Sequence, residues 1–406
     1  MSAIAAYRAL LRIVGPAYIL VAFLGRIPLA MSQLGVLVLV STTTDSYGVG
    51  GAAAGILAIS NAVGSPIFGA LSDRYGQRPV VLVQSLVGAL GLAGIVVVTD
   101  PDASQALIFA AAAVTGFAMP QVGPLARVRW RPITRDKEDQ RRLVDAAFSY
   151  EGAADEASFV LGPATIGLLA IVAEPAGALL AAAALLAVFG SWFAIHPTSA
   201  LVARRSTTGG TGSEPLWTGV FAVLIMAQLS IGMIFGSVQT GTTVLATAEG
   251  HAGVAGLIHA VLGIGSVIAG LAVTGLPERV LYATRMAVAA IGLLLLAWPL
   301  LLVDSLPSLI VVIGLLGFAV APFMISNFAL AGILVPVHRV SAAMTMLAGA
   351  TGIGYALGAA LAGRLADANG HTAAFAVTVA AAGFAVLIAL TANRALREAV
   401  PVDQGY

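Results

Sequence analysis

The chain has 406 residues, of which 59% are hydrophobic and only 10% charged, with a formal net charge of +1. Soluble domains average roughly 25% charged residues, so water is not the main solvent here. Without a single cysteine, the chain has no disulfide framework, no thiolate nucleophile and no cysteine-type metal site. The cations are spread among short loops and form no stripe, so nucleic acid is not an expected partner.

Apolar segments long enough to cross a bilayer recur from end to end. In chain order they fall at 13–40, 51–71, 79–98, 106–126, 144–172 and 177–196. After a polar break they resume at 218–244, 252–274, 286–303, 309–334, 342–363 and 373–393. The expected fold class is an all-α membrane protein with twelve transmembrane helices. The first apolar stretch is too long for a cleaved signal peptide and is read as the first span. The break from Pro197 to Leu216 holds Arg204, Arg205 and a Ser/Thr/Gly run, the composition of a flexible linker. It divides the chain into residues 1–197, a linker at 198–216, and residues 217–406.

With a cytoplasmic N-terminus, eighteen of the twenty Lys and Arg residues fall on the cytoplasmic side, as the positive-inside rule requires. The C-terminus is then cytoplasmic too. The exceptions are Arg26, inside the first span, and Arg364, before the last. The most basic stretch, Arg127 to Arg142, is expected to anchor the fourth and fifth spans against anionic headgroups. Nineteen arginines against one lysine, with abundant alanine, suggest a high-GC bacterial genome and hence a bacterial inner membrane.

The two halves resemble each other. Ala54-Gly55, Gly64-Ser65, Gly69 and Arg78 recur 201 residues on as Ala255-Gly256, Gly265-Ser266, Gly270 and Arg279, and Gly116-Phe117-Ala118 returns as Gly317-Phe318-Ala319. Gly162 and Gly167 return 196 residues on as Gly358 and Gly363. The shared order of these matches indicates duplication. Six-plus-six duplication is the plan of transporters whose halves rock about a midplane site.

Between spans two and three stands Gly69-Ala70-Leu71-Ser72-Asp73-Arg74-Tyr75-Gly76-Gln77-Arg78, which closely resembles the cytoplasmic loop signature of the major facilitator superfamily. Span number, linker position and a weakened second copy from Gly270 to Arg279, with Thr274 where the aspartate would stand, extend the resemblance over the whole chain. It implies two pseudo-symmetric six-helix bundles. It also implies a gate in which Asp73 accepts hydrogen bonds from the positive end of the eleventh helix, with Arg74 and Arg78 paired to carboxylates and Gly69 and Gly76 allowing close approach and a tight turn. In the fifth span, Gly162-Pro163 with Gly167 partly resembles the glycine-proline signature used chiefly by proton-coupled exporters. Proline removes a backbone donor there and glycines permit close packing.

That span also carries Glu151, Asp155 and Glu156. Arg26 lies at comparable depth, and an unpaired charge there costs at least roughly 2.5 to 3.5 kcal/mol. Arg26 is therefore expected to pair with Asp155 or Glu156, and a change in burial or pairing then couples carboxylate protonation to movement. His259 in the eighth span is a further titratable candidate. One departure from the family's proton-antiport pattern is the fourth span, which has no central arginine and only Arg127 at its cytoplasmic end.

In this family the first, fourth, seventh and tenth helices line the central cavity, which nominates Met31, Gln33, Met119, Gln121, Gln228, Met233, Phe235, Gln239, Phe323, Met324 and Asn327. An apolar lining with scattered amides suits an uncharged or amphipathic organic molecule. The expected function is proton-coupled efflux of small organic molecules by a monomer surrounded by lipid, with no cofactor and no metal. The alternative is a sugar or amino-acid transporter or importer of the same fold. No HExxH, GxSxG or GxxxxGK[ST] stretch supports an enzyme. A non-transporting sensor would be expected to carry an appended soluble domain, and the tail after Arg394 is short.

Overall fold

The computed structural model describes residues 3–100, 104–202, 216–251, 254–273, 275–277 and 279–400. Most of the expected linker, with Arg204 and Arg205, and Thr274 of the second loop copy lie outside the described residues. The linker's first residues are docked rather than free. Pro197–Leu201 forms a 3-10 turn, and Thr198 and Ser199 are buried.

The helices are α1 (Ala3–Thr43), α2 (Tyr47–Tyr75), α3 (Gln77–Val98), α4 (Gln105–Ala118), α5 (Val122–Ile133), α6 (Gln140–Val172), α7 (Glu174–Leu185) and α8 (Ser191–Ile195). They are followed by α9 (Gly219–Ala248), α10 (Ala255–Val273), α11 (Tyr282–Ala297), α12 (Leu306–Leu334), α13 (Val340–Thr391) and the short α14 (Asn393–Ala399). Nine helical segments are long and apolar enough to span a bilayer, and α6 and the shorter α10 add two more. The 52-residue α13 contains two spans, because Gly370 at φ +72° reverses the chain after Asn369. Twelve membrane-crossing helices therefore stand among the described residues. The loop expected before the last span shrinks to that two-residue break.

Local chemistry explains the interruptions. The fourth span breaks into α4 and α5 at Pro120, which has no N–H to donate. The freed carbonyls of Gly116 and Met119 are taken up by Asn61 Nδ2 at 3.1 and 3.0 Å. This repair is needed because no water reaches a backbone carbonyl in hydrocarbon. Helix α3 buries Val81, Gln84, Ser85, Gly88, Ala89, Leu92 and Ile95, the stripe a 3.6-residue period places on one side.

Packing repeats between the halves. The first span meets the fifth (α1 on α6), the second the fourth (α2 on α4) and the third the fourth (α3 on α4). The seventh meets the eleventh (α9 on α13), the eighth the tenth (α10 on α12) and the ninth the tenth (α11 on α12). The two sets meet along α2–α13 and α6–α10, with α12 against α6 and α13 against α5.

The basic stretch 127–142 does not lie wholly at the headgroups. Helix α5 carries Arg127 and Arg129 inward, to 3% and 0% exposure. Arg129 donates to Gln77 Oε1 at 2.8 Å, to the Phe193 carbonyl at 2.9 Å and to Thr198 Oγ1 at 3.0 Å, and lies over the Phe193 ring. It ties α3, α5, α8 and the following turn together. Hydrogen bonds involving a charged group contribute roughly 1.5 to 3 kcal/mol each. Arg129→Met should therefore lower stability by about 3 kcal/mol, read as a reduced thermal midpoint of detergent-solubilised protein; an unchanged midpoint would remove Arg129 from this structural role.

Candidate functional site

Arg26 sits on α1 at 4% exposure, inside a membrane span. Its Nη2 meets Glu151 Oε2 at 2.5 Å, its Nη1 meets Asp155 Oδ1 at 3.0 Å, and its Nε donates to the Ala22 carbonyl at 3.0 Å. Glu151 also accepts from Trp130 Nε1 at 2.7 Å. Asp155 Oδ2 pairs with Arg127 Nη1 at 2.7 Å. Two arginines and two carboxylates thus form one balanced cluster across α1, α5 and α6. Buried ions are tolerated on those terms, and removing one member typically costs 3 to 5 kcal/mol.

Of the two partners expected for Arg26, Asp155 is in contact and Glu156 is not. Glu151 takes the second place. The reason is helical: Glu151 and Asp155 are four residues apart and share a face, whereas Glu156 is about 100° further round. Glu156 instead reaches α10, where Ser266 Oγ donates to its Oε1 at 3.3 Å. His259, one turn from the Gly263 that also faces Glu156, is half-buried, and its Nδ1 has no partner among the described residues. Arg127, expected at the headgroups, reaches the cluster because α5 starts after the Pro120 break and directs it toward α6.

The cavity candidates separate. Met31, Met119 and Phe323 are fully enclosed by packing in this conformation, and Met233, Phe235 and Met324 are half-buried. Gln228 and Asn327 form a buried network: Asn327 Nδ2 donates to Gln228 Oε1 at 2.7 Å, and Gln228 Nε2 to Thr351 Oγ1 at 2.9 Å. Gln121 donates to Asn61 Oδ1 at 2.7 Å and to Ser65 Oγ at 3.0 Å. Gln33 and Gln239 are exposed, Gln239 accepting from Tyr355.

In the loop motif, both Asp73 oxygens accept backbone N–H bonds at 2.9 Å from Ser341 and Ala342. These donors are in the first turn of α13, where amides are unsatisfied and the helix dipole is positive. Gly69 lets α2 approach this closely, since a Cβ there would collide with Thr345 and the Ser341 carbonyl. Gly76 holds φ +91° between α2 and α3. Arg74 and Arg78 are exposed and, contrary to the expected pairing, neither forms an ion pair among the described residues. Arg74 lies over the Tyr75 ring. Gly162 packs against Ala30 and Met31 of α1, Pro163 sits within an unbroken α6, and Gly167 has open space beside it.

A second contact between the halves was not anticipated. Asp145, on the first turns of α6, accepts a short hydrogen bond from Tyr282 and pairs with Arg285 Nη1 at 3.1 Å, both on α11. Arg141 and Arg285 flank the Tyr282 ring. The hydrogen bonds joining the halves run from mid-membrane, at Glu156–Ser266, to the basic face, at Asp73, Asp145 and the Tyr7 hydroxyl on the Leu271 carbonyl. The halves are closed together on that face.

Two helical sets thus meet at one membrane face, and the buried charge cluster lies within the first of them. The family model of the Major Facilitator Superfamily matches residues 14–306, and the chain belongs to that family. It is therefore a multi-pass membrane transporter of small molecules and not an enzyme. The structure of the human organic anion transporter MFSD10 (TETRAN) superposes with a TM-score of 0.69 at 18% identity, covering 93% of this chain and 98% of that one. A bacterial homologue of the iron transporter ferroportin, in an outward-facing state, gives 0.67 at 16% identity, covering 92% and 98%. The nucleoside transporter NupG, as a point mutant, gives 0.58 at 18% identity, covering 93% and 98%. At these identities the likeness is one of fold alone. No curated protein matches the chain in sequence.

A carboxylate at a helix N-terminus contributes up to about 2 kcal/mol in partly buried geometry. Asp73→Asn should therefore raise the ratio of basic-face-open to closed protein by as much as about thirtyfold, and Arg285→Ala should act in the same direction. Accessibility of cysteines introduced beneath that face reads the change against a cysteine-free background. Unaltered labelling in both variants would show that neither contact holds the face shut.

Proposed function

We propose that this transporter exports small, uncharged or amphipathic organic molecules across a bacterial inner membrane in exchange for protons. The two bundles, residues 1–197 and 217–406 joined by the cytoplasmic linker 198–216, rock about a central cavity in a monomer with both termini cytoplasmic. On that topology the basic face is cytoplasmic, and the contacts of Asp73 and Asp145 close the cytoplasmic gate. Substrate then enters the cycle when those contacts open inward.

The observation that carries this reading is the state of Asp155. Its side chain is 24% exposed while Arg26, Arg127 and Glu151 around it are almost fully buried. It is the member of the cluster that a proton can reach, and neutralising it leaves two arginines facing one carboxylate. Such an imbalance within a membrane span favours rearrangement. Glu156 supplies a second titratable group directly on the seam between α6 and α10, with no cation paired to it among the described residues. Gly162 and Pro163, on the same helix, support the export direction through their partial likeness to the exporter signature. The buried amides Gln228 and Asn327, together with half-buried Met233, Phe235 and Met324, suit a ligand held by apolar burial and a few hydrogen bonds.

Purified protein in liposomes with a pH-sensitive dye inside, challenged with hydrophobic cations, neutral drugs, sugars and amino acids, tests the proposal. A substrate should produce a lumenal pH change, and Asp155→Asn or Glu156→Gln should cut it by about five- to hundredfold, the usual span of a coupling free energy. Substrate-driven pH signals that persist at full size in both single variants and in the double variant would exclude these carboxylates, and uptake of sugars or amino acids without drugs would favour an importer.

A further inference from the structure

The charge cluster belongs to one half of the molecule, yet the gate lies between the halves, so some side chain must carry the state of Asp155 across. We propose that Arg127 and Phe328 are that link: Arg127 is a positioning residue that Asp155 holds against the aromatic ring of the opposite half. The inference rests on the proton-coupling reading above and adds to it the path from proton to movement.

Arg127 is 3% exposed, and Asp155 is its carboxylate partner, at 2.7 Å. The same guanidinium lies over the Phe328 ring, 4.4 Å from its centroid. Phe328 is on α12, is 3% exposed and packs into the core of the second half. The arrangement needs Gly123, one turn before Arg127, because the Asp155 carboxylate occupies the space where a Cβ would stand. Asp155 is thereby fixed between Arg26 of α1 and Arg127 of α5. The other titratable groups of the region are Tyr150, Glu151 and Glu156 on its own helix and, on α10, His259, one turn from the Gly263 that faces Glu156; from α12, Phe328 meets Arg127.

A buried guanidinium paired to a carboxylate and stacked on an aromatic ring is held in place by both. When Asp155 takes a proton, Arg127 loses its counter-charge and keeps the ring and a neutral acceptor, which together do not compensate a cation for lost solvation in a low-dielectric site. Arg127 then leaves the ring for a more polar place, and the contact of α5 with α12 is lost. Protonation from the chamber thus loosens the basic face, and deprotonation restores it.

The test uses full-length protein in liposomes carrying spin labels at Glu138→Cys and Val337→Cys, exposed sites on the two halves, with no native cysteine to interfere. The distance distribution is read across pH. Wild-type protein should open as pH falls. Phe328→Leu should raise the open-to-closed ratio at high pH by between about two- and thirtyfold, the range from an exposed to a desolvated cation–π contact, and flatten the pH response, while Phe328→Tyr behaves as wild type. Arg127→Lys, which keeps the charge but gives up the planar stack, should match Phe328→Leu, so the proposal stays testable where one variant misfolds. Asp155→Asn should be open at every pH, and adding Phe328→Leu to it should change nothing further. Equal pH responses in Phe328→Leu and Phe328→Tyr, or additive effects of Phe328→Leu and Asp155→Asn, would overturn the link. Proton flux is scored in parallel: a wild-type protein that opens with falling pH but moves no protons sinks the antiport reading and leaves the link standing.

Discussion

Arg26 is the constraint around which the rest is arranged. A guanidinium in the middle of a helix that faces hydrocarbon cannot remain alone, and the fold answers it with two carboxylates and a carbonyl. That demand fixes the register of α1 against α6. Because Asp155 has a second oxygen, satisfying Arg26 brings Arg127 inward, and α5 must break from α4 at Pro120 for its side chains to point that way. The break in turn frees carbonyls that Asn61 repairs. Arg26 and its partners thus join three helices, α1, α5 and α6.

The closure of the basic face is asymmetric despite the repeated plan. The first copy of the loop motif keeps its aspartate, which caps α13. The second copy has Thr274 instead, and the other latch is Asp145, which reaches from α6 to Tyr282 and Arg285 of α11. Both latches therefore take their carboxylate from the first half and their donor from the second. They differ in chemistry: a helix end offers a fixed dipole, whereas Tyr282 and Arg285 are side chains that can swing away.

Much of the site was readable because lipid narrows the choices. Ionisable residues in an apolar span stand out, and Arg26, Asp155 and Glu156 do so in the sequence alone. Their pairing was only half readable. The four-residue spacing of Glu151 and Asp155 places them on one face of α6, with Glu156 turned toward α10. Arg127 looked like a headgroup anchor, since its distance from the membrane centre depends on a helix break whose direction the sequence does not give. Asp145, Tyr282 and Arg285 carried no local signal, being far apart in the chain and each ordinary beside a membrane surface.

By itself the sequence determined the number of spans, the membrane as solvent and the duplicated plan, while the family resemblance of the loop motif implied its helix-capping aspartate. These follow from segment length, hydropathy and a contiguous pattern, all local in the chain. Tertiary structure alone decided which carboxylate each arginine meets, which cavity candidates are enclosed, and that Arg127 touches the opposite half. Those outcomes depend on the rotation of each helix about its axis and on the crossing of helices more than a hundred residues apart, and such geometry is set by packing that no single segment encodes.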